Sequence, residues 1–545
     1  EAKENIDPQL QLSTSDTYDF VYDELIDCLY SLSEQEKRSE RVQTAIEALG
    51  YAEANKARQF EKSWGQTFVS ELRNKLPLDV VQQEDALTAR RNQAAAQLQA
   101  AISGTESSSG SAAELQGQLA HAESDLQNFV HMLEQKYPAY AALKYPQPTT
   151  LVGIPLHAGE TLVEFKMTDT ATFVWIVRDE GSEGNTLISF YKVSESRDWF
   201  DSEISKLRDA FNSGQPEGYE PEVSEELFTK LFPGKQAAEI LESHHLIFVP
   251  DDVLYLLPFE MLSPYATQGK YALLSDPTAY FPSAESLHIA RTAQRTEQWN
   301  EAFLGVGDPI TSPSDPRYRL AAALSQAESA PPQQKPDTTS ENAPNQVDKL
   351  KARGFEFDRI PGTAKEIQSI ANLFSEKHES ADILLGVNAT RKDVLDLDLS
   401  HFRYIHFATH GILPVDAGVR EPSLVLSYDG TTADQMLLPI STIMRLNIDA
   451  DDVVLSACNT GSGQVTRAEG VMSLGRAFMT AGASSVTVSL WEVSDASTAL
   501  LMKQYYENLL QGKPKDEALA EARTWLFQNG YSKPYFWAPF ILIGE

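Results

Sequence analysis

The chain has 545 residues, enough for about three or four domains, and its 42% hydrophobic and 23% charged residues are the balance of a globular protein. Its 45 Lys and Arg stand against 78 Asp and Glu, a formal net charge of -33, which argues against wrapping nucleic-acid phosphates or an anionic membrane and favours basic partners. Two cysteines exclude a disulfide framework and a cysteine-rich zinc module, and point to a reducing, cytoplasmic setting.

No apolar run reaches the roughly 18 residues of a membrane span. The chain starts at Glu1 without a Met or a basic-then-apolar leader, as a fragment would. Residues 1–148 read as helical. Val21, Leu25, Cys28, Leu29 and Leu32 form a helical stripe, which assigns Cys28 to packing. The next stretch, rich in Ala, Glu, Lys and Gln, resembles the end of a tetratricopeptide repeat array. Residues 81–102 and 112–136 predict an antiparallel helical hairpin joined by a polar Ser/Gly connector.

Residues 149–300 change character. Two strands around a polar turn are expected in 160–180, helices near 198–212 and 223–232, strands at 245–249 and 253–256, and a helix after Pro282. Residues 301–545 alternate strands with helices. The strands are AFLGVGD, FEFDRI, DILLG, FRYIHFA, SLVLS, DVVLSA, SVTVSL and PFILIG. One helix buries Ile367, Ile370, Ala371 and Phe374 and opens on the capping-box pattern Thr363-x-x-Glu366. Another carries Val471, Leu474, Phe478 and Ala481 on one face. This alternation predicts an α/β fold with a mostly parallel sheet flanked by helices. Residues 311–350, rich in Pro, Ser, Gln and Asn, read as a disordered insertion, tolerated as a surface loop or serving as a processing linker.

Chemistry in such sheets sits beyond the carboxyl ends of the strands. There FRYIHFATHG ends on His410-Gly411, and DVVLSACNTGSG carries Cys458 before a Gly-rich turn. A Cys between a buried strand and an open turn can act as a thiolate nucleophile, with a His on another strand end taking its proton. The amides of Gly411 and Cys458 are the candidate oxyanion hole. The structural alternatives are a core-filling Cys and a strand-capping His. The two strand ends occurring together favour the dyad. His406 and His410 have zincin spacing, but Phe407 stands where the general-base Glu belongs and both lie on a strand, so no metal is expected and His406 reads as a packed imidazole. No phosphate-loop motif occurs, and no cofactor is expected. Arg420 and Glu421 read as an exposed ion pair at the cleft mouth.

HFATHG, LSACNTGSG and RAEGVMSLGRAFMTAGASSVTVSLWEVSD, with RIPGTAKEIQSIANLF, LIFVPDDVLYLLPFEML and FWAPFILIG, resemble the CHAT family of caspase-like cysteine peptidases, related to separase and commonly attached to tetratricopeptide repeats. The resemblance covers about 150–545. It implies His410 as general base and Cys458 as nucleophile of an endopeptidase, with 149–300 a non-catalytic pseudo-protease half and 301–545 the catalytic half. It also implies cleavage after a basic residue, read by Asp495 in the segment Trp491-Glu492-Val493-Ser494-Asp495, with Glu492 a second substrate-binding candidate. The alternative for Asp495 is a helix N-cap. Relatives act in bacterial defence on gasdermin-type or CRISPR-linked substrates. The expected partners are therefore a protein substrate with a basic cleavage site and an activating protein bound through the helical region. The alternative is a repeat-type binding scaffold whose protease-like domain is regulatory or silent.

Overall fold

The computed structural model describes residues 8–60, 69, 72–103, 112–137, 140–141, 144–145, 154–179, 186–212, 214–292, 299–328, 357–412, 421–456, 458–459, 464–491 and 495–545. The chain divides into two compact units, one of residues 1–52 and 150–545, the other of residues 53–149. Helices α1 (Pro8–Ser33) and α2 (Arg38–Phe60) come first, followed by α3 (Leu78–Ser103) and α4 (Ala112–Lys136).

In the smaller unit, α3 and α4 pack side by side, tied by an ion pair from Arg90 to Asp125 at 2.7 Å. Its interior holds the Glu84 carboxylate. That group accepts from Tyr140 Oη at 2.7 Å, Tyr145 Oη at 2.8 Å and Arg73 Nε at 3.1 Å. A buried charge with three donors is compensated where a lone one would not be.

The larger unit is built on strands β1 (Glu160–Met167), β2 (Thr172–Asp179) and β3 (Thr186–Val193), then helices α5 (Arg197–Asn212) and α6 (Pro221–Leu231). Strands β4 (His245–Val249), β5 (Thr278–Tyr280) and β6 (Glu301–Gly307) follow, with α7 (Pro316–Glu328) and α8 (Pro361–Glu376). Next come β7 (Ala381–Leu385), β8 (Phe402–Ala408), β9 (His410–Ile412), β10 (Ser423–Val425), β11 (Leu437–Pro439), β12 (Asp452–Leu455) and β13 (Cys458–Asn459). The chain closes with α9 (Gln464–Ala481), β14 (Ser485–Ser489), α10 (Asp495–Leu509), α11 (Lys515–Gln528) and β15 (Phe540–Gly544).

These strands form one eleven-stranded sheet in the order β3-β2-β1-β4-β5-β15-β14-β12-β8-β6-β7, and a four-stranded sheet in the order β11-β10-β9-β13. In the large sheet the pairings are parallel except β1–β2, β2–β3 and β14–β15. This is the expected α/β architecture. The last strand, β15, lies between strands from the two halves of the chain, antiparallel to β14 and parallel to β5.

Close packing decides two glycines. A Cβ on Gly305 of β6 would stand 2.6 Å from Ile367 of α8, so Gly305 lets α8 close on the sheet. Gly482 ends α9 at φ +123, and a Cβ there would meet the Ile448 carbonyl oxygen at 1.8 Å. Helix α8 buries Ile367, Ile370, Ala371 and Phe374 as expected, with Phe374 stacked on Phe303 at 5.0 Å.

Several expectations are corrected. Residues 252–256 form a 3-10 helix, not a strand, because Val253, Leu254 and Leu256 turn inward on one wrapped segment. Residues 357–360 of FEFDRI carry no strand; both edges of β6 are already taken by β8 and β7. Thr363 and Glu366 do not form a capping box. Helix α8 starts earlier, at Pro361 with Ile360 as its N-cap, Thr363 Oγ1 donates to the Ile360 carbonyl at 2.7 Å, and Glu366 turns into the core. The supposed insertion 311–350 begins with ordered structure, since 316–328 is α7. Residues 329–350 lie outside the described residues. Cys28 is exposed rather than packed; Ile26 is the buried residue of that turn of α1.

The two halves of the sheet are also joined by an ion pair, His245 Nε2 to Asp516 Oδ2 at 2.7 Å. Burial pulls the His245 imidazole down, but the Asp516 hydrogen bond and charge outweigh it and raise it above the ordinary 6.5. Burial pushes the Asp516 carboxyl up, but His245 outweighs it and holds it below 3.8. A raised His stabilises fully below its unfolded value and loses this as pH rises through the folded one. A depressed Asp stabilises above its unfolded value and loses this as pH falls. The pair therefore contributes most between the two ordinary values. Melting temperature should fall as pH rises from about 6 to about 9, and His245→Gln should flatten that decline. An equal decline in both chains would remove the pair from the account.

Candidate active site

Four parallel strands deliver the carboxyl-end residues. β6 runs into Asp308, β8 into Thr409 and His410, β12 into Ser456 and Cys458, and β14 into Leu490 and Trp491. Past the end of β8 the chain pairs afresh in the small sheet. There His410 is the register partner of Cys458, and Gly411 of Asn459, in a parallel ladder of β9 with β13. On its other side β9 pairs antiparallel with β10, placing His410 opposite Val425 and Gly411 opposite Leu424. Thr409 Oγ1 donates to the Val425 carbonyl and ties the turn between β8 and β9 to β10. Neighbouring strands lie about 4.8 Å apart, so the His410 and Cys458 backbones are adjacent across one ladder.

The imidazole is held from one side. His410 is 7% exposed, and its Nε2 lies 2.7 Å from the carbonyl oxygen of Asp358. A carbonyl only accepts, so Nε2 carries the proton and Nδ1 keeps the lone pair of a base. The Phe357 ring stands 5.7 Å from the imidazole. Phe357 also joins Ile412, Val425, Met436 and Leu437 in the small core beneath β9, β10 and β11. The Asp358 carbonyl is the contributor that sequence reasoning missed. No side chain advertises a backbone acceptor, and the segment bearing it resembles a strand.

His406 does not share the site. It is fully buried, with Nε2 2.9 Å from Glu366 Oε1, close enough for charge attraction although the alignment falls short of a hydrogen bond. Its Nδ1 faces the Tyr506 hydroxyl at 3.2 Å. Burial pushes that hydroxyl well above its ordinary range, which keeps it a neutral donor. Both His406 nitrogens thus face protein groups.

Trp491 is buried, donating from Nε1 to the Tyr535 carbonyl at 3.1 Å. Arg208 of α5 donates to the Leu490 carbonyl at 2.7 Å and stands 5.9 Å over the Trp491 ring, so the first half of the sheet unit braces the end of β14. Glu492 lies outside the described residues, and Asp495 is the first residue of α10. Arg420 also lies outside them. Glu421 is bound to the start of the turn after β11, accepting from the Ser441 amide at 2.9 Å and its hydroxyl at 2.8 Å. No helix among the described residues is long and apolar enough to cross a membrane.

Residues 221–545 match the family model described as the CHAT domain. Tetratricopeptide repeat protein 28 of Mus musculus is 30% identical over 193 residues, covering 30% of this chain and 8% of that protein. Its Homo sapiens counterpart is 30% identical over 197 residues with the same coverage. The match thus spans under a tenth of the length of these curated relatives. Among solved structures, the Saccharomyces cerevisiae separase–securin complex is similar with a TM-score of 0.42 and 10% identity, covering 91% of this chain and 40% of that one.

Proposed function

This chain belongs to the CHAT domain family, and from that premise we propose that it is a cysteine endopeptidase with Cys458 as nucleophile and His410 as general base. The observation that carries the reading is the ladder pairing His410 with Cys458, together with the Asp358 carbonyl that leaves the lone pair on Nδ1. His410 Nδ1 takes the Cys458 thiol proton, and the thiolate attacks the scissile carbonyl. The amides of Gly411 and Cys458 receive the oxyanion. As the C–N bond breaks, His410 returns the proton to the leaving amine, and a thioester remains. Water then attacks the thioester, giving its proton to His410, and the thiol is regenerated as the acid leaves.

The substrate is a protein cut after Arg or Lys, with Asp495 and Glu492 supplying the carboxylates that meet the basic side chain. The formal charge of -33 steers such a site toward the cleft. Residues 149–300 act as the non-catalytic half and 301–545 as the catalytic half. Residues 1–148 bind an activating partner in a cytoplasmic setting, and a gasdermin-type or CRISPR-linked substrate in bacterial defence is the biological form of the proposal. One observation favours a second reading as a binding module. Phe20, Val21, Leu25 and Leu32 of α1 are exposed apolar side chains on one helix.

The test is to incubate the protein with a proteome and sequence the new N-termini. The expected result is a cluster of cuts after Arg or Lys that Asp495→Ala disperses without slowing Cys458 alkylation. Cuts with no basic preference would remove Asp495 from the pocket. No cuts at all, with or without candidate partners bound to α1, would favour the binding module.

A further inference from the structure

The segment that orients His410 has no helix or strand of its own. Residues 357–360 run as plain chain into α8. Their carbonyls are held by side chains. Phe357 O accepts from Thr311 Oγ1 at 3.0 Å, Asp358 O from His410 Nε2, and Ile360 O from Thr363 Oγ1 at 2.7 Å. The remaining member, Arg359, grips Asp308 with both ends of its guanidinium, Nε to Oδ1 at 3.0 Å and Nη2 to Oδ2 at 3.0 Å. A bidentate pair fixes direction as well as distance.

Asp308 is itself over-determined. It follows β6 directly and sits at φ +45, a left-handed conformation that Asp tolerates better than most residues. Its amide donates to Thr363 Oγ1 at 2.9 Å, and its Oδ2 takes a further bond from Arg317 Nη1 of α7 at 2.6 Å. Two residues on, the Ile310 amide donates to Ser427 Oγ at 2.8 Å and its carbonyl accepts from the Tyr428 amide at 2.8 Å. The Asp308 carboxylate is therefore a fixed post attached to the end of a central strand. Backbone strain of this kind persists only where surrounding contacts enforce it, and it concentrates at functional sites.

We propose that Asp308 and Arg359 are positioning residues for the His410–Cys458 reaction. Through their paired hydrogen bonds they hold the Asp358 carbonyl where it keeps His410 in the tautomer and orientation of a base. The proposal rests on the peptidase reading for its catalytic consequence but not for its geometry. A loop carbonyl that drifts by an ångström lets the imidazole turn, and misplacement on that scale costs about 10²-fold in rate. The first half of the sheet unit supplies an internal control. Asp252, also left-handed at φ +50, grips Arg197 in the same two-ended way, 2.6 and 3.1 Å, just after β4, which β5, β15, β14 and β12 separate from β8 in the large sheet.

The test uses the full chain labelled with ¹⁵N-histidine, reading the exchange-protected ring N–H of His410, with kcat and KM in parallel. Asp308→Asn keeps a residue that tolerates the left-handed backbone, and Arg359→Ala alters a side chain that is 52% exposed, so both chains should fold. Each should lose the protected His410 signal, lower kcat by about ten- to hundredfold and leave KM nearly unchanged. Arg359→Lys should restore little, because a single ammonium nitrogen lacks the planar fork whose two nitrogens meet both carboxylate oxygens. Arg197→Ala should leave the His410 signal intact. A retained signal in Asp308→Asn and Arg359→Ala overturns the proposal whatever the activity. Loss of the signal in a protein whose wild type cleaves nothing supports the clamp and overturns the peptidase reading instead.

Discussion

Changing Cys458 to Ala should lower kcat/KM for peptide cleavage by at least about 10³-fold, and His410→Ala should do nearly as much. The double variant should be no worse than the worse single one. The reason is chemical coupling: a thiol without a base is a poor nucleophile, and a base without a thiol has no proton to take. Backbone adjacency across the β9–β13 ladder brings the two residues together, and the Asp358 carbonyl determines which imidazole nitrogen is left free. Substrate affinity should survive in each variant, because neither change touches the proposed Asp495 pocket. Additive losses would mean that the two residues act independently, and the mechanism would fail even if each were needed.

The largest effect on stability is expected at Arg523. This side chain is fully buried in α11, paired with Glu260, and its Nη2 donates to Thr278 Oγ1 at 2.9 Å. Glu260 also accepts from Thr278 Oγ1 at 2.5 Å and Tyr280 Oη at 2.7 Å. The cluster pins α11 to β5. Arg523→Ala leaves a carboxylate buried without its cation, which costs about 3–5 kcal/mol. Chemical denaturation should show that loss in the transition of the sheet unit. Replacing both members, Arg523→Met with Glu260→Gln, should recover much of it, since the penalty comes from the orphaned charge. A loss below about 1 kcal/mol for Arg523→Ala would mean that water reaches the pair.

Much of this fold was legible because burial writes itself into short apolar runs. Phe402–Ala408, Asp452–Leu455 and Ser485–Ser489 are buried strands that read as such. His410 and Cys458 stood out as reactive residues at two strand ends. What misled was local pattern without a partner. The run from Phe355 to Ile360 alternates like a strand, but the carbonyls of Phe357, Asp358 and Ile360 accept from the side chains of Thr311, His410 and Thr363 rather than from a neighbouring strand. Thr363 and Glu366 have cap spacing, yet a helix starting at Pro361 takes both inside. The stripe through Val21 and Leu25 has helical period and forms a helix, but the period alone does not say that the face is covered. β3 and the position of β15 between β5 and β14 were out of reach, since strand order is decided by contacts between distant segments. The post at Asp308 was equally hidden: a Gly-Asp-Pro turn reads as punctuation, not as the partner of Arg359 beside the Asp358 carbonyl.

The central claim is that His410 activates Cys458, and the most direct measurement is the alkylation rate of both cysteines with iodoacetamide across pH, located by mass spectrometry. Exposed Cys28 is the reference within the same molecule. The account predicts that Cys458 reacts roughly tenfold or more faster than Cys28 near pH 6, and that His410→Ala abolishes this excess. Equal rates and equal pH dependence at the two cysteines, unchanged by His410→Ala, would contradict it.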